Sequence, residues 1–120
     1  MDRAEVWQAG EDLAAQHLHR LGWRILARNW RCPVGELDII AVDPSASGTV
    51  VFCEVKCRRG TSYGLPIEAI TRAKVTKLRE LALHWLREQP GAVPNMRFDG
   101  IGVLLGPDGA GRIDHRRGIC

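Results

Sequence analysis

Hydrophobic patterning predicts an α/β fold with the element order α-β-β-β-α-β, a mixed sheet flanked by helices. Three observations carry it. An amphipathic stripe opens the chain, three strand-like runs follow with turn chemistry between them, and a second long amphipathic stretch precedes one more strand. At 120 residues the chain is expected to form one domain, 1–120, with one core.

The first helix is expected from Arg3 to Leu21, where Val6, Leu13, Ala14, His17, Leu18 and Leu21 recur at helical spacing and Gly22 is a natural terminator. Trp23 to Trp30 reads as the first strand, and Arg31-Cys32-Pro33-Val34-Gly35 as a turn. Glu36 to Val42 is the second strand, and Asp43-Pro44-Ser45-Ala46-Ser47-Gly48 is turn chemistry. Thr49 to Cys57 is the third strand, followed by a loop from Arg58 to Leu65. Pro66 is well placed to start a second helix, striped by Ile67, Ile70, Ala73, Leu78, Leu81, Ala82 and Trp85 and ending near Gln89. Met96 to Leu105 is the fourth strand, Gly106-Pro107-Asp108-Gly109 a turn, and Arg112 onward a short edge strand. The order is a meander followed by a helical crossover.

Composition excludes more than it selects. The formal net charge is +3, from 17 Lys and Arg against 14 Asp and Glu, so placement of charge matters more than its total. Basic residues cluster at Arg58-Arg59, along Arg72, Lys74, Lys77 and Arg79, and near Arg112, Arg116 and Arg117. No apolar run is long enough to span a bilayer, and the N-terminus has no apolar signal-peptide core; a cytoplasmic protein with no membrane partner is expected. Cys32, Cys53, Cys57 and Cys120 lack the paired spacing of a zinc site, and the four histidines form no His-Glu-x-x-His arrangement. Cys53 and Cys57 read as small apolar residues of an inner strand face, reduced in a cytosol.

The chemistry lies in two acidic strands one hairpin apart, Gly35-Glu36-Leu37-Asp38-Ile39-Ile40 and Phe52-Cys53-Glu54-Val55-Lys56. Strand alternation puts Glu54 and Lys56 on one face, with Val51, Cys53, Val55 and Cys57 on the other. The same rule gives Asp38 a face with Glu36, Ile40 and Val42, opposite Leu37, Ile39 and Ala41. Phosphodiester hydrolysis needs a nucleophilic water near neutral pH and compensation for charge growing on phosphate oxygens. Magnesium suits both, held by one or two carboxylates plus waters and substrate phosphate, and manganese accepts the same oxygen donors. Asp38 and Glu54 can supply the carboxylates, Val55 a main-chain oxygen, and Lys56 an ammonium that orients water or offsets charge. Against this stands the plainer reading of Glu-x-Lys as a solvated surface ion pair of little energetic weight. What favours the metal site is the apolar flank of both strands, because a buried charge needs a partner or a metal.

The order and the acidic strands together resemble the restriction-endonuclease-like superfamily, whose signature is written PD-(D/E)-x-K. More closely, the chain resembles the bacterial YraN-type family, an uncharacterised nuclease-like group related in fold to Holliday-junction resolvases. The similar stretches are Gly10-Glu11, Asn29-Trp30-Arg31, Gly35 to Ala41, Phe52 to Arg58, Tyr63-Gly64, Lys74 and Arg97-Phe98-Asp99. The resemblance implies a restriction-endonuclease-like core, with Asp38, Glu54 and Lys56 at the catalytic positions and Glu11 facing the same site as a further metal ligand. It implies DNA as partner, with RNA left open, and a homodimer for paired cuts. Arg58, Arg59, Arg31 and Lys74 are the residues expected to touch nucleic acid. Tyr63 reads either as a substrate neighbour or as packing, and Asp99 as a structural acid paired with an arginine. Two functions are thus in contention, a magnesium-dependent DNA endonuclease and a nucleic-acid- or partner-binding module that keeps the fold without turnover. A structural protein whose acids form internal ion pairs is the third.

Overall fold

The computed structural model describes residues 1–62 and 64–120, so the reading of Tyr63 lies outside the described residues. Helix α1 spans Arg3–Arg20 and starts on a reciprocal cap, in which the Asp2 carboxylate accepts the Glu5 N–H and the Glu5 carboxylate accepts the Asp2 N–H. Strands β1 (Arg24–Cys32), β2 (Gly35–Asp43) and β3 (Thr49–Arg58) form the meander, with a 3₁₀ turn at Pro44–Ala46. A second 3₁₀ turn, Pro66–Ala69, leads to α2 (Arg72–Arg87), and β4 (Met96–Leu105) and β5 (Gly111–Arg116) complete the chain.

The five strands form one sheet in the order β1-β2-β3-β4-β5, parallel between β3 and β4 and antiparallel elsewhere. The parallel pair needs a crossover, and α2 supplies it. This is the expected α/β class, and its five-stranded mixed sheet flanked by helices is compatible with a restriction-endonuclease-like core. On one face α1 packs Ala14 and Leu18 over Ile39, Val51, Cys53, Val55, Ile101 and Val103. On the other, Leu78, Leu81, Ala82 and Trp85 of α2 cover Leu37, Ile40, Val50 and Phe52.

Two expectations need correction. Helix α2 begins at Arg72 with Thr71 as its cap, not at Pro66. Ile67 and Ile70 belong to a separate segment laid against β4, where Gly102 leaves room: a Cβ there would stand 2.9 Å from the Ile67 backbone nitrogen. The second correction concerns β2. Leu37 packs with Ile40 in the α2-side core, whereas Ile39 and Ala41 pack in the α1-side core, so the alternation breaks at Asp38. Across the hairpin, Asn29 lies between the pairs Arg28↔Ile39 and Trp30↔Leu37 with a left-handed φ of 52°. Asparagine adopts that conformation more readily than most residues, and the kink it introduces turns Asp38 out of the regular pleat.

Candidate active site

The β2–β3 ladder runs from Asp43↔Thr49 to Ile39↔Cys53 and stops there, while β3 continues alongside β4 as far as Arg58↔Leu104. The β1–β2 hairpin therefore peels away from β3 at Asp38, leaving a fork. Asp38 closes its base by accepting the Val55 N–H on Oδ2 at 2.8 Å, in a buried hydrogen bond. A strand residue points its N–H and C=O to the same edge, so the Val55 carbonyl also faces the fork, beyond the last ladder pair of β2.

Asp38 is 9% exposed. Burial is the main force raising its carboxyl, the Glu54 charge is next and Glu11 adds to it; the Val55 N–H and the Lys56 ammonium pull the other way. The outcome is a carboxyl raised to about 7. Glu54 and Lys56 form an ion pair at 3.4 Å on the β3 face opposite Val55 and Cys53. Burial works against the Lys56 charge, but the nearby Glu54 and Asp38 carboxylates hold it above its ordinary value. Lys74 is pushed below its own by the same ammonium neighbour. Two lysines thus converge where two carboxylates stand.

Glu11 reaches the site from below on α1 and is fully buried. Its carboxylate is held at both oxygens, Oε1 accepting from Arg28 Nε at 2.9 Å and Oε2 from Asn29 Nδ2 at 2.8 Å. Gly10, the preceding residue, lets α1 sit this close, since a Cβ there would fall 2.3 Å from Cys57 Cβ. Arg28 and Asn29 were given no role from sequence, although an asparagine and an arginine interrupting an apolar strand are the signal for it. Among the described residues, no group of three or more His, Cys, Asp or Glu side chains is arranged as a ready metal cage.

The residues expected to touch nucleic acid are spread around this centre. Lys74 stands against Lys56, while Arg58 and Arg59 line an open cavity beside Lys56. Arg31 lies apart at the hairpin tip, exposed and 3.5 Å from Glu36. Asp99 is structural as read: Arg97 grips it through Nε at 2.8 Å and Nη2 at 3.0 Å, and His115 Nε2 lies 2.8 Å from Oδ2. No helix among the described residues is long and apolar enough to cross a membrane.

Residues 10–103 match the model of a family described as Uncharacterised protein family UPF0102. A UPF0102 protein of Mycolicibacterium smegmatis is 48% identical over 119 residues, covering 99% of this chain and 95% of its own length. Relatives in Nocardia farcinica and Mycobacterium tuberculosis are 46% and 48% identical, covering 98% and 99% of this chain and 91% and 94% of their own. The YraN-type resemblance is borne out at the level of the family.

Proposed function

The chain belongs to the uncharacterised protein family UPF0102, and from that starting point we propose a metal-dependent endonuclease that hydrolyses phosphodiester bonds in DNA. One observation carries the reading. Asp38 is buried beside Glu54 and Glu11, and burial above all, with the neighbouring Glu54 charge, raises its carboxyl to about 7. A cation would relieve what a proton relieves in its absence.

The donors suit magnesium or manganese. Among the described residues Asp38 Oδ1 accepts no hydrogen bond while Val55 holds Oδ2, Glu54 offers a second carboxylate, and the Val55 carbonyl a third hard oxygen. Glu11, with both oxygens already held, fits as the charge beneath the site more closely than as a direct ligand. When bound, the metal supplies a water acidified toward hydroxide and a positive charge for the phosphate. Lys56 is positioned to hold that water or a phosphate oxygen, and Lys74 to steady the same phosphate from α2. Branched or damaged DNA is the proposed substrate, cut by a homodimer, since two symmetric cuts in a junction require two such sites.

A second reading rests on the 3.4 Å Glu54–Lys56 pair and the satisfied Glu11, which suit a binding module without turnover. A labelled panel of single-stranded, duplex, flap and four-way-junction DNA, plus RNA, separates the two. With magnesium or manganese the native protein is expected to cut at least one DNA form, and Asp38→Asn and Lys56→Ala none. Salt-sensitive binding without cutting by any of the three proteins would select the binding module instead.

A further inference from the structure

Three of the four tryptophans are accounted for by packing: Trp23 lies in the α1-side core, and Trp30 and Trp85 belong to the α2-side core. Trp7 belongs to neither. It is half-buried on the first turns of α1 and lines an open cavity of about 680 Å³ between that helix and the end of β3. Arg3, Lys56, Arg58 and Arg59 line the same cavity. Its acid is Asp2, whose carboxylate is occupied in capping α1 at 2.8 Å from the Glu5 nitrogen. Among the described residues neither Arg3, Arg58 nor Arg59 is ion-paired, and Arg59 only donates to the Met1 carbonyl at 3.0 Å.

An indole outside both cores, set beside three arginines that are unpaired among the described residues, has the two parts of a single-strand receptor. The ring offers a stacking platform and the cations track the phosphates. The volume falls within the roughly 300–1,000 Å³ of small-molecule sites. Lys56 belongs both to this cavity and to the Asp38–Glu54 fork, so a strand whose phosphate lies at Lys56 runs directly into it. A base still paired in a duplex has no free face to give the indole; an unpaired one does.

We propose that Trp7, with Arg3, Arg58 and Arg59, forms a pocket for an unpaired nucleotide next to the scissile phosphate. The chain would then select nucleic acid with a single-stranded end, gap or flap at the cut. The inference rests on the nuclease reading for its meaning, but its test needs only binding.

The experiment uses the full chain without divalent metal, so that nothing is cut, and short DNA and RNA strands carrying 2-aminopurine, each single-stranded or annealed into a blunt duplex. The native protein is expected to quench the probe in the single strand and to prefer it over the duplex. Trp7→Ala should lower that preference about tenfold, and Trp7→Phe should restore most of it. The DNA and RNA arms name the sugar. Duplex binding with no preference for the single strand, or a preference that Trp7→Ala leaves intact, would overturn the pocket and leave the nuclease reading standing. Binding of no probe at all would likewise overturn the pocket, while the nuclease reading stands or falls on the metal-dependent cleavage panel.

Discussion

Asp38 on β2 and Asp99 on β4 are both buried, on opposite sides of β3, yet their surroundings drive them in opposite directions. Burial opposes ionisation at each. At Asp99 it is outweighed by His115, by both arms of Arg97 and by the Gly118 N–H, and the carboxyl is held down to about 2. At Asp38 the Val55 N–H and the Lys56 ammonium do not outweigh burial and the Glu54 and Glu11 charges, and the carboxyl rises to about 7. The same side chain in the same sheet is in one place a finished structural knot and in the other an unfinished one. A fold keeps an unfinished charge where something else is meant to complete it.

The sharpest break of the comparison is to remove each charge in turn. Asp38→Asn should reduce metal-dependent cleavage about 10³-fold or more while the fold persists, read from initial rates on the preferred substrate. Asp99→Asn should do the reverse, destabilising the chain by roughly 3–5 kcal/mol in urea unfolding, because Arg97 and His115 lose their buried partner. Equal effects of the two changes on both readouts would dissolve the distinction.

The next effect is on pH dependence without metal. Asp38 binds its proton more tightly folded than unfolded, so stability should fall as pH rises from about 4 through about 7. Asp99 has the opposite sign: its contribution is complete above about 4 and is lost as pH falls toward 2. Melting curves across pH should show both slopes, with Asp38→Asn flattening only the upper one. The smallest effect is expected at Gly10→Ala, about 1–3 kcal/mol, from the clash with Cys57 that pushes α1 and Glu11 away from the fork. A neutral or stabilising result there would mean that α1 does not set the site.

Where local rules governed, the sequence was readable. Alternation separated Glu54 and Lys56 from Val55 and Cys53, and the turns and caps gave the element order, because these depend on neighbours in the chain. It failed where distant residues decide. Asp38 leaves the pleat because Asn29, across the hairpin, takes a left-handed conformation, and nothing in Leu37-Asp38-Ile39-Ile40 marks that. Pro66 reads as a helix start, but the bare backbone of Gly102 draws Ile67 flat onto β4 and delays α2 to Arg72. Asp99 was recognised as structural; its partner His115 and the further contact from His115 to His17, 98 residues apart, carry no local pattern.

The central claim is that Asp38 awaits a cation, and the melting temperature at pH 8 with and without magnesium or manganese tests it most directly. The native chain is expected to gain stability as metal is added, while Asp38→Asn starts more stable than the metal-free native protein and no longer responds. An Asp38→Asn variant that starts less stable, or that responds to metal as the native protein does, would contradict the account.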